Sequence, residues 1–182
     1  MSGPRVTRNS REYRRLRVYT WLYSISAAIV FCVLFFTLVY NGLRVSDASM
    51  APFIKQGDVL LLSRLSQVFY TPSRGDVFAF RDSDGEIYLG RVLALPGERV
   101  ASSGGQIYVG GVLLDESAYA PGQCADMEEF TLDAGVYFLL PDLRPLSAFD
   151  PAPFQVSYNH LVGRAAFRVA PFSGMSIFLK NP

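Results

Sequence analysis

The 182 residues suggest one domain with an appendage, and a hydrophobic content of 50% with a mean hydropathy of +0.21 is high for a soluble domain alone. The formal net charge is only +1, but it is unevenly placed: of 17 basic residues 15 are Arg, and Arg5, Arg8, Arg11, Arg14, Arg15 and Arg17 all precede Trp21. A basic head on a near-neutral chain fits a membrane surface better than the rival reading, a nucleic-acid arm, because these arginines abut an apolar segment.

That segment is WLYSISAAIVFCVLFFTLVY, Trp21 to Tyr40, with no charge, Pro or Gly. As a helix it reaches about 30 Å, the hydrocarbon thickness of a bilayer. Trp21, Tyr23 and Tyr40 stand near its ends, as interfacial aromatics do. The arginines before it and the scarcity of basic residues just after it place residues 1–20 in the cytoplasm and everything after Tyr40 outside. A cleaved signal peptide would carry an apolar region of about 7–15 residues; this one is longer, so the expectation is an uncleaved single-pass anchor.

From Leu43 to Pro182 no 3.6-residue periodicity is sustained. Short β-rich runs alternate with turn signals instead. The expected strands are DVLLLSRL (58–65), DVFAFRD (76–82), IYLGRVLAL (87–95), QIYVGGVLL (106–114), GVYFLLPD (135–142) and GRAAFRVAPF (163–172). The Gly-Gly pairs at 104–105 and 110–111 suit hairpin or bulge geometry. Residues Ser117 to Asp133 read as an acidic loop excursion. The class is therefore mainly β, one helix followed by an all-β domain large enough for a substantial core. Cys32 lies in the apolar segment and Cys124 in the outer part, so no intramolecular disulfide is expected, and Cys124 is either free or paired between chains.

Several chemistries lack their residues. His160 is the single histidine, in a loop far along the chain from any serine-rich turn, and reads as a surface residue rather than a triad member. One His and two separated Cys do not make a metal site. There is no P-loop and no G-x-G-x-x-G, and no cofactor or nucleic acid is expected.

Five segments, in order, resemble the bacterial type I signal peptidases, the membrane-anchored serine/lysine proteases that remove signal peptides after translocation. SMAPFIKQGDVLLL resembles the run that carries the family's nucleophile, which falls on Ser49. PSRGDVFAF, YLGRVLALPGERV, LPDLRPLSAFDP and HLVGRAAFRVAPF resemble the segments that follow it. The resemblance runs from the anchor to about Phe172. It implies two antiparallel sheets and a groove that holds an extended substrate.

The resemblance also exposes departures. The family's general-base lysine stands immediately before Arg-Val in YLGRVLALPGERV, and that position is Gly90. A serine hydroxyl needs an adjacent base, and the family supplies a desolvated lysine able to be neutral. Glycine has no side chain to offer, and the Arg91 guanidinium stays protonated. Lys55 and Lys180 lack the strand context, and His160 does not align with position 90. The second oxyanion donor of the family, two residues before the nucleophile, falls on Asp47, whose carboxylate would oppose developing negative charge. In the last motif Pro141, Leu143, Phe149 and Pro151 depart from the family's pattern, whereas Asp142, Arg144 and Ser147 match it. Ser147 aligns with the serine that orients the lysine, and without a lysine its role becomes structural.

Two functions follow from the resemblance. One is a catalytically impaired relative that binds exported, membrane-tethered proteins and assists their assembly, as signal-peptidase-like proteins of Gram-positive pilus clusters do for pilins. Like them this chain lacks the lysine; unlike them it keeps the serine. The other is an active type I signal peptidase with Ser49 as nucleophile and a base from a partner or the substrate. A purely structural membrane protein is the third reading. Loss of the lysine stem is expected to enlarge the groove locally.

Overall fold

The computed structural model describes residues 10–117, 123–144, 147, 150–170 and 176–177. Helix α1 (Ser10–Val39) carries the apolar segment, and Arg14–Val39 has a mean hydropathy of 2.4 in its most apolar stretch. The helix starts earlier than the apolar run because arginine is itself a good helix former. Tyr40, expected to end the helix, opens a strand instead. The chain separates into two compact units at this point, the helix up to Val39 and everything from Tyr40 onward.

The second unit is built from antiparallel strands. In chain order they are β1 (Tyr40–Arg44), β2 (Val59–Ser63), β3 (Val77–Arg81), β4 (Ile87–Ala94), β5 (Arg99–Ser103), β6 (Gln106–Val109), β7 (Val112–Leu113), β8 (Met127–Thr131), β9 (Val136–Leu140), β10 (Gln155–Ser157), β11 (Leu161–Ala170) and β12 (Ser176–Ile177). A one-turn helix, α2 (Ser66–Phe69), follows β2. The larger sheet runs β1-β2-β11-β3-β4-β9-β10, with β12 paired on β11; the smaller runs β7-β6-β5-β8. The two-sheet architecture is the one expected.

Two expectations are corrected in detail. The run 106–114 is a hairpin, β6 and β7, because Gly110 and Gly111 take φ of 60° and 79°, a left-handed pair that a continuous strand does not accommodate. The supposed loop 117–133 contains β8, which pairs with β5. The last expected strand begins earlier, at Leu161; its residues 171–172, like Phe149 and Lys180, lie outside the described residues.

The centre of the larger sheet is buried on both faces, which is why VFAF and YFLL are continuous apolar runs rather than alternating ones. Val77 and Ala79 of β3 face a cluster that holds Met50, Ile54, Leu60 and Leu89. Phe78 and Phe80 face the opposite cluster, with Val92, Tyr137 and Leu139. A third cluster, including Leu93, Ile107 and Phe138, lies under the smaller sheet. Cys124 belongs to it and is 3% exposed. Burial pushes its thiol pKa up. Burial also overturns pairing between chains, since a partner sulfur has no access to a thiol so enclosed.

Buried ion pairs explain several motif residues as scaffold. Asp58 and Asp76, each following a glycine, both pair with arginines of β11: Arg168 at 3.2 Å and Arg164 at 2.7 Å. Arg91 grips Asp142 through Nε at 2.8 Å and a second nitrogen at 2.5 Å, and its third nitrogen donates to the Gly75 carbonyl. Arg144 holds Glu116 in the same two-pronged way. Removing one partner from such a pair strands a buried charge and costs about 3–5 kcal/mol.

Candidate functional site

Ser49 lies in the loop between β1 and β2, and the sequence fixes that loop tightly. Its neighbour Met50 and nearby Ile54 are fully buried. The Ile54 N–H donates to the Met50 carbonyl, and the Gly57 N–H to the Val45 carbonyl. Lys55 N–H donates to Asp58, which Arg168 clamps, while the Arg168 guanidinium also reaches the Phe53 carbonyl at 2.5 Å. The Ser49 carbonyl accepts the Leu143 N–H at 2.8 Å. That bond ties the loop to the segment after β9, so Leu143, a departure from the family's pattern, acts there through its backbone while its side chain is exposed.

The half-buried Ser49 directs both of its donors at one atom. Its backbone N–H donates to Asp47 Oδ1 at 3.0 Å and its hydroxyl donates to the same oxygen at 2.6 Å. Asp47 and Ser49 line a cavity of about 260 Å³, together with Phe80, Tyr88, Leu89 and Pro141. Asp82, just after β3, also lines it, and Pro153 and Phe154 complete the wall from a single 3-10 turn (Ala152–Phe154) that Pro151 initiates. A smaller niche of about 50 Å³ continues from it between Leu43–Asp47 and Ile87 and Leu89. β9 pairs with β4 only over Arg91–Ala94, so Ile87–Gly90 has a strand neighbour on the β3 side alone among the described residues. The result is a shallow channel with an apolar floor and one unpaired strand edge, a shape that accepts an extended chain by strand addition.

Gly90 sits on that strand, next to Tyr88 and Leu89, but the space in front of it is closed. A Cβ there would lie 3.0 Å from Leu139 Cβ and 3.1 Å from a Phe80 ring carbon. No added space is seen directly in front of Gly90, where an enlargement of the groove was expected. Gly90 pairs with Phe78 and shares a face with Phe80 and Leu139, and these side chains fill the room that a side chain at 90 would need.

The other sequence-predicted residues fall elsewhere. Lys55 is exposed, and its backbone alone serves the loop. Asp142 and Arg144 are taken up in ion pairs, and Ser147 is exposed and absent from the cavity lining. His160 ends a 3-10 turn (Tyr158–His160) and lines a different cavity. Sequence reasoning missed Phe80, Tyr88, Leu89, Pro153 and Phe154 as wall residues. Tyr88 and Leu89 were within the quoted motif, but three separate elements supply this wall, and only strand register brings them together.

Comparison with known proteins places the chain in a family. Residues 18–170 match the family model described as "Signal peptidase, peptidase S26". Signal peptidase I of Bacillus caldolyticus is 30% identical over 167 residues, covering 84% of this chain and 90% of that protein. A Staphylococcus aureus (strain COL) protein named "Inactive signal peptidase IA" is 25% identical, covering 91% of this chain and 99% of its own length. A crystal structure of a signal peptidase I from Enterococcus faecalis V583 superimposes with a TM-score of 0.44 at 25% identity, over 53% of this chain and 97% of that one. With two-sheet architecture, N-terminal apolar helix and ordered motifs all in place, the chain belongs to the signal peptidase family, peptidase S26.

Proposed function

We propose that this protein is a membrane-anchored member of the signal peptidase family that holds exported, membrane-tethered proteins in its groove without cutting them, and so assists their assembly; pilin-like proteins are the proposed clients. In this reading the N-terminus is cytoplasmic and the β domain faces outward. One observation carries the reading: both polar hydrogens of Ser49 go to Asp47 Oδ1, at 3.0 and 2.6 Å. The backbone N–H that should meet an oxyanion is thereby engaged by a carboxylate, and a negative group occupies the place where negative charge would develop. Position 90 offers no base, and a side chain there would crowd Leu139 and Phe80, 3.0 and 3.1 Å from its Cβ.

Losing one member of a catalytic serine unit costs on the order of 10⁴–10⁶ in rate, with a remainder that depends on the oxyanion hole and on binding. Here the oxyanion contribution is opposed as well. Binding does not need either device. The unpaired edge of β4 and the apolar wall remain, and both act on an extended backbone.

A second reading, an active signal peptidase, draws on the same contact: a carboxylate oxygen 2.6 Å from the Ser49 hydroxyl is a proton acceptor in place. Carboxylates are weak bases toward an alcohol, and this one also holds the N–H, so it opposes in one step what it would assist in another. Incubating the purified full-length protein in detergent with a membrane-tethered preprotein tests the proposal. Stable association, competed by peptide and without cleavage, is expected. Cleavage at the signal-peptide boundary contradicts it.

A further inference from the structure

Nine arginines follow Tyr40 in the sequence. Six are neutralised by carboxylates: Arg74, Arg91, Arg99, Arg144, Arg164 and Arg168. Of the other three, Arg44 borders the niche beside Ser49. Arg64 and Arg81 converge on another cavity, of about 480 Å³, with His160 and the carboxamides of Asn41 and Asn159. Leu161 and Val162 complete its lining, which contains no Asp or Glu. Arg81 gives one N–H to the Gly85 carbonyl at 3.0 Å, and Arg64 makes no ion pair or side-chain hydrogen bond among the described residues. Two guanidinium groups, with an imidazole and two amides able to donate beside them and no carboxylate in the lining, suit a cluster of phosphate oxygens.

Position in the chain says where the phosphate comes from. Asn41 is two residues beyond Val39, the end of the apolar helix, so the cavity wall lies within about 7 Å of chain from that end. Register sets Tyr40 opposite Ser63, and Arg64 and Leu65 follow directly. Leu65 is 42% exposed, and Phe69, at the end of α2, is 81% exposed. Exposed apolar side chains beside unpaired cations are the combination that sits in a headgroup layer.

We propose that the Arg64–Arg81–His160 cavity binds the phosphate of an anionic phospholipid in the leaflet that α1 leaves at Val39, with Leu65 and Phe69 dipping into the acyl boundary. The bound headgroup ties the β domain to the bilayer surface. This does not depend on whether Ser49 is catalytic.

Thermal unfolding of the full-length protein in detergent micelles, titrated with phosphatidylglycerol, phosphatidylcholine or soluble glycerol phosphate, tests the assignment. Phosphatidylglycerol should raise the melting temperature saturably, and phosphatidylcholine should not. The double change Arg64→Gln with Arg81→Gln removes two charge-assisted bonds and should raise the half-saturating lipid concentration by about tenfold or more. Asn159→Asp, which adds a carboxylate to the wall while keeping its shape, should do the same if the double variant proves poorly folded. Phe69→Ser should weaken the lipid response. A phosphatidylglycerol response unchanged in both cavity variants overturns the site, and an equal response to glycerol phosphate overturns the lipid as its ligand.

Discussion

Asp47 Oδ1 accepts both the backbone N–H and the hydroxyl of Ser49, at 3.0 and 2.6 Å. The hydroxyl proton of Ser49 is thus directed at a carboxylate, a weak base toward an alcohol. The same oxygen covers the N–H that an oxyanion would require. On the proposed reading, the departure at position 47 touches both the hydroxyl and the N–H of Ser49, whereas the one at position 90 leaves no side chain to act as base.

Restoring the base alone should fail. Gly90→Lys must push Leu139 and Phe80 aside, and overpacking of this kind costs roughly 1–3 kcal/mol. Its melting temperature in detergent should fall, and its cleavage of a preprotein should stay near background. Gly90→Lys with Asp47→Ser should exceed the single variant measurably, because one oxyanion defect is worth about 2.7–4 kcal/mol. Equal activity of the two would show that Asp47 does not obstruct the oxyanion position.

The Arg91–Asp142 pair should prove structural. Asp142→Ala leaves a buried guanidinium without its carboxylate and should destabilise the domain by about 3–5 kcal/mol. Arg91→Met combined with Asp142→Leu should recover a large part of that loss. Thermal unfolding of the three variants checks it. A double variant as unstable as the single would show that these residues do more than neutralise one another.

How much of this was legible in the sequence follows from what each residue faces. VLLLS, VFAF and YFLL announce buried strands by apolar content alone, and the Gly-Gly pairs announce their turns. β8, MEEFT, buries mainly Met127 and shows its acids to solvent, so its composition reads as a loop. β1, YNGLR, is short, contains glycine and follows the apolar helix without a break. At the site, Ser49, Asp47 and Pro141 were legible through motif order. The closure at Gly90 was not, because it depends on β3, β4 and β9 aligning so that Phe80 and Leu139 meet in front of it.

Cys124 should resist modification in the folded protein. Alkylation requires the thiolate, and burial both raises the thiol pKa and excludes the reagent. With Cys32 replaced by Ser, iodoacetamide near pH 8 should label Cys124 slowly until denaturant is added. Rapid labelling of the native protein would show that the cluster under the smaller sheet opens readily.

Orientation has its own test. The arginines before Trp21 predict that protease added outside protoplasts digests the domain after Gly42 and spares the N-terminal head. A protected domain with an accessible N-terminus would reverse the topology and remove exported proteins as clients.

The most direct measurement is peptide-terminus mass spectrometry of a preprotein incubated with full-length wild type and with Ser49→Ala, each reconstituted in detergent. The account predicts the same uncut preprotein in both, with Ser49→Ala still binding the client as tightly as wild type. A product cut at the signal-peptide boundary by wild type and lost in Ser49→Ala, with the fold preserved, would contradict it.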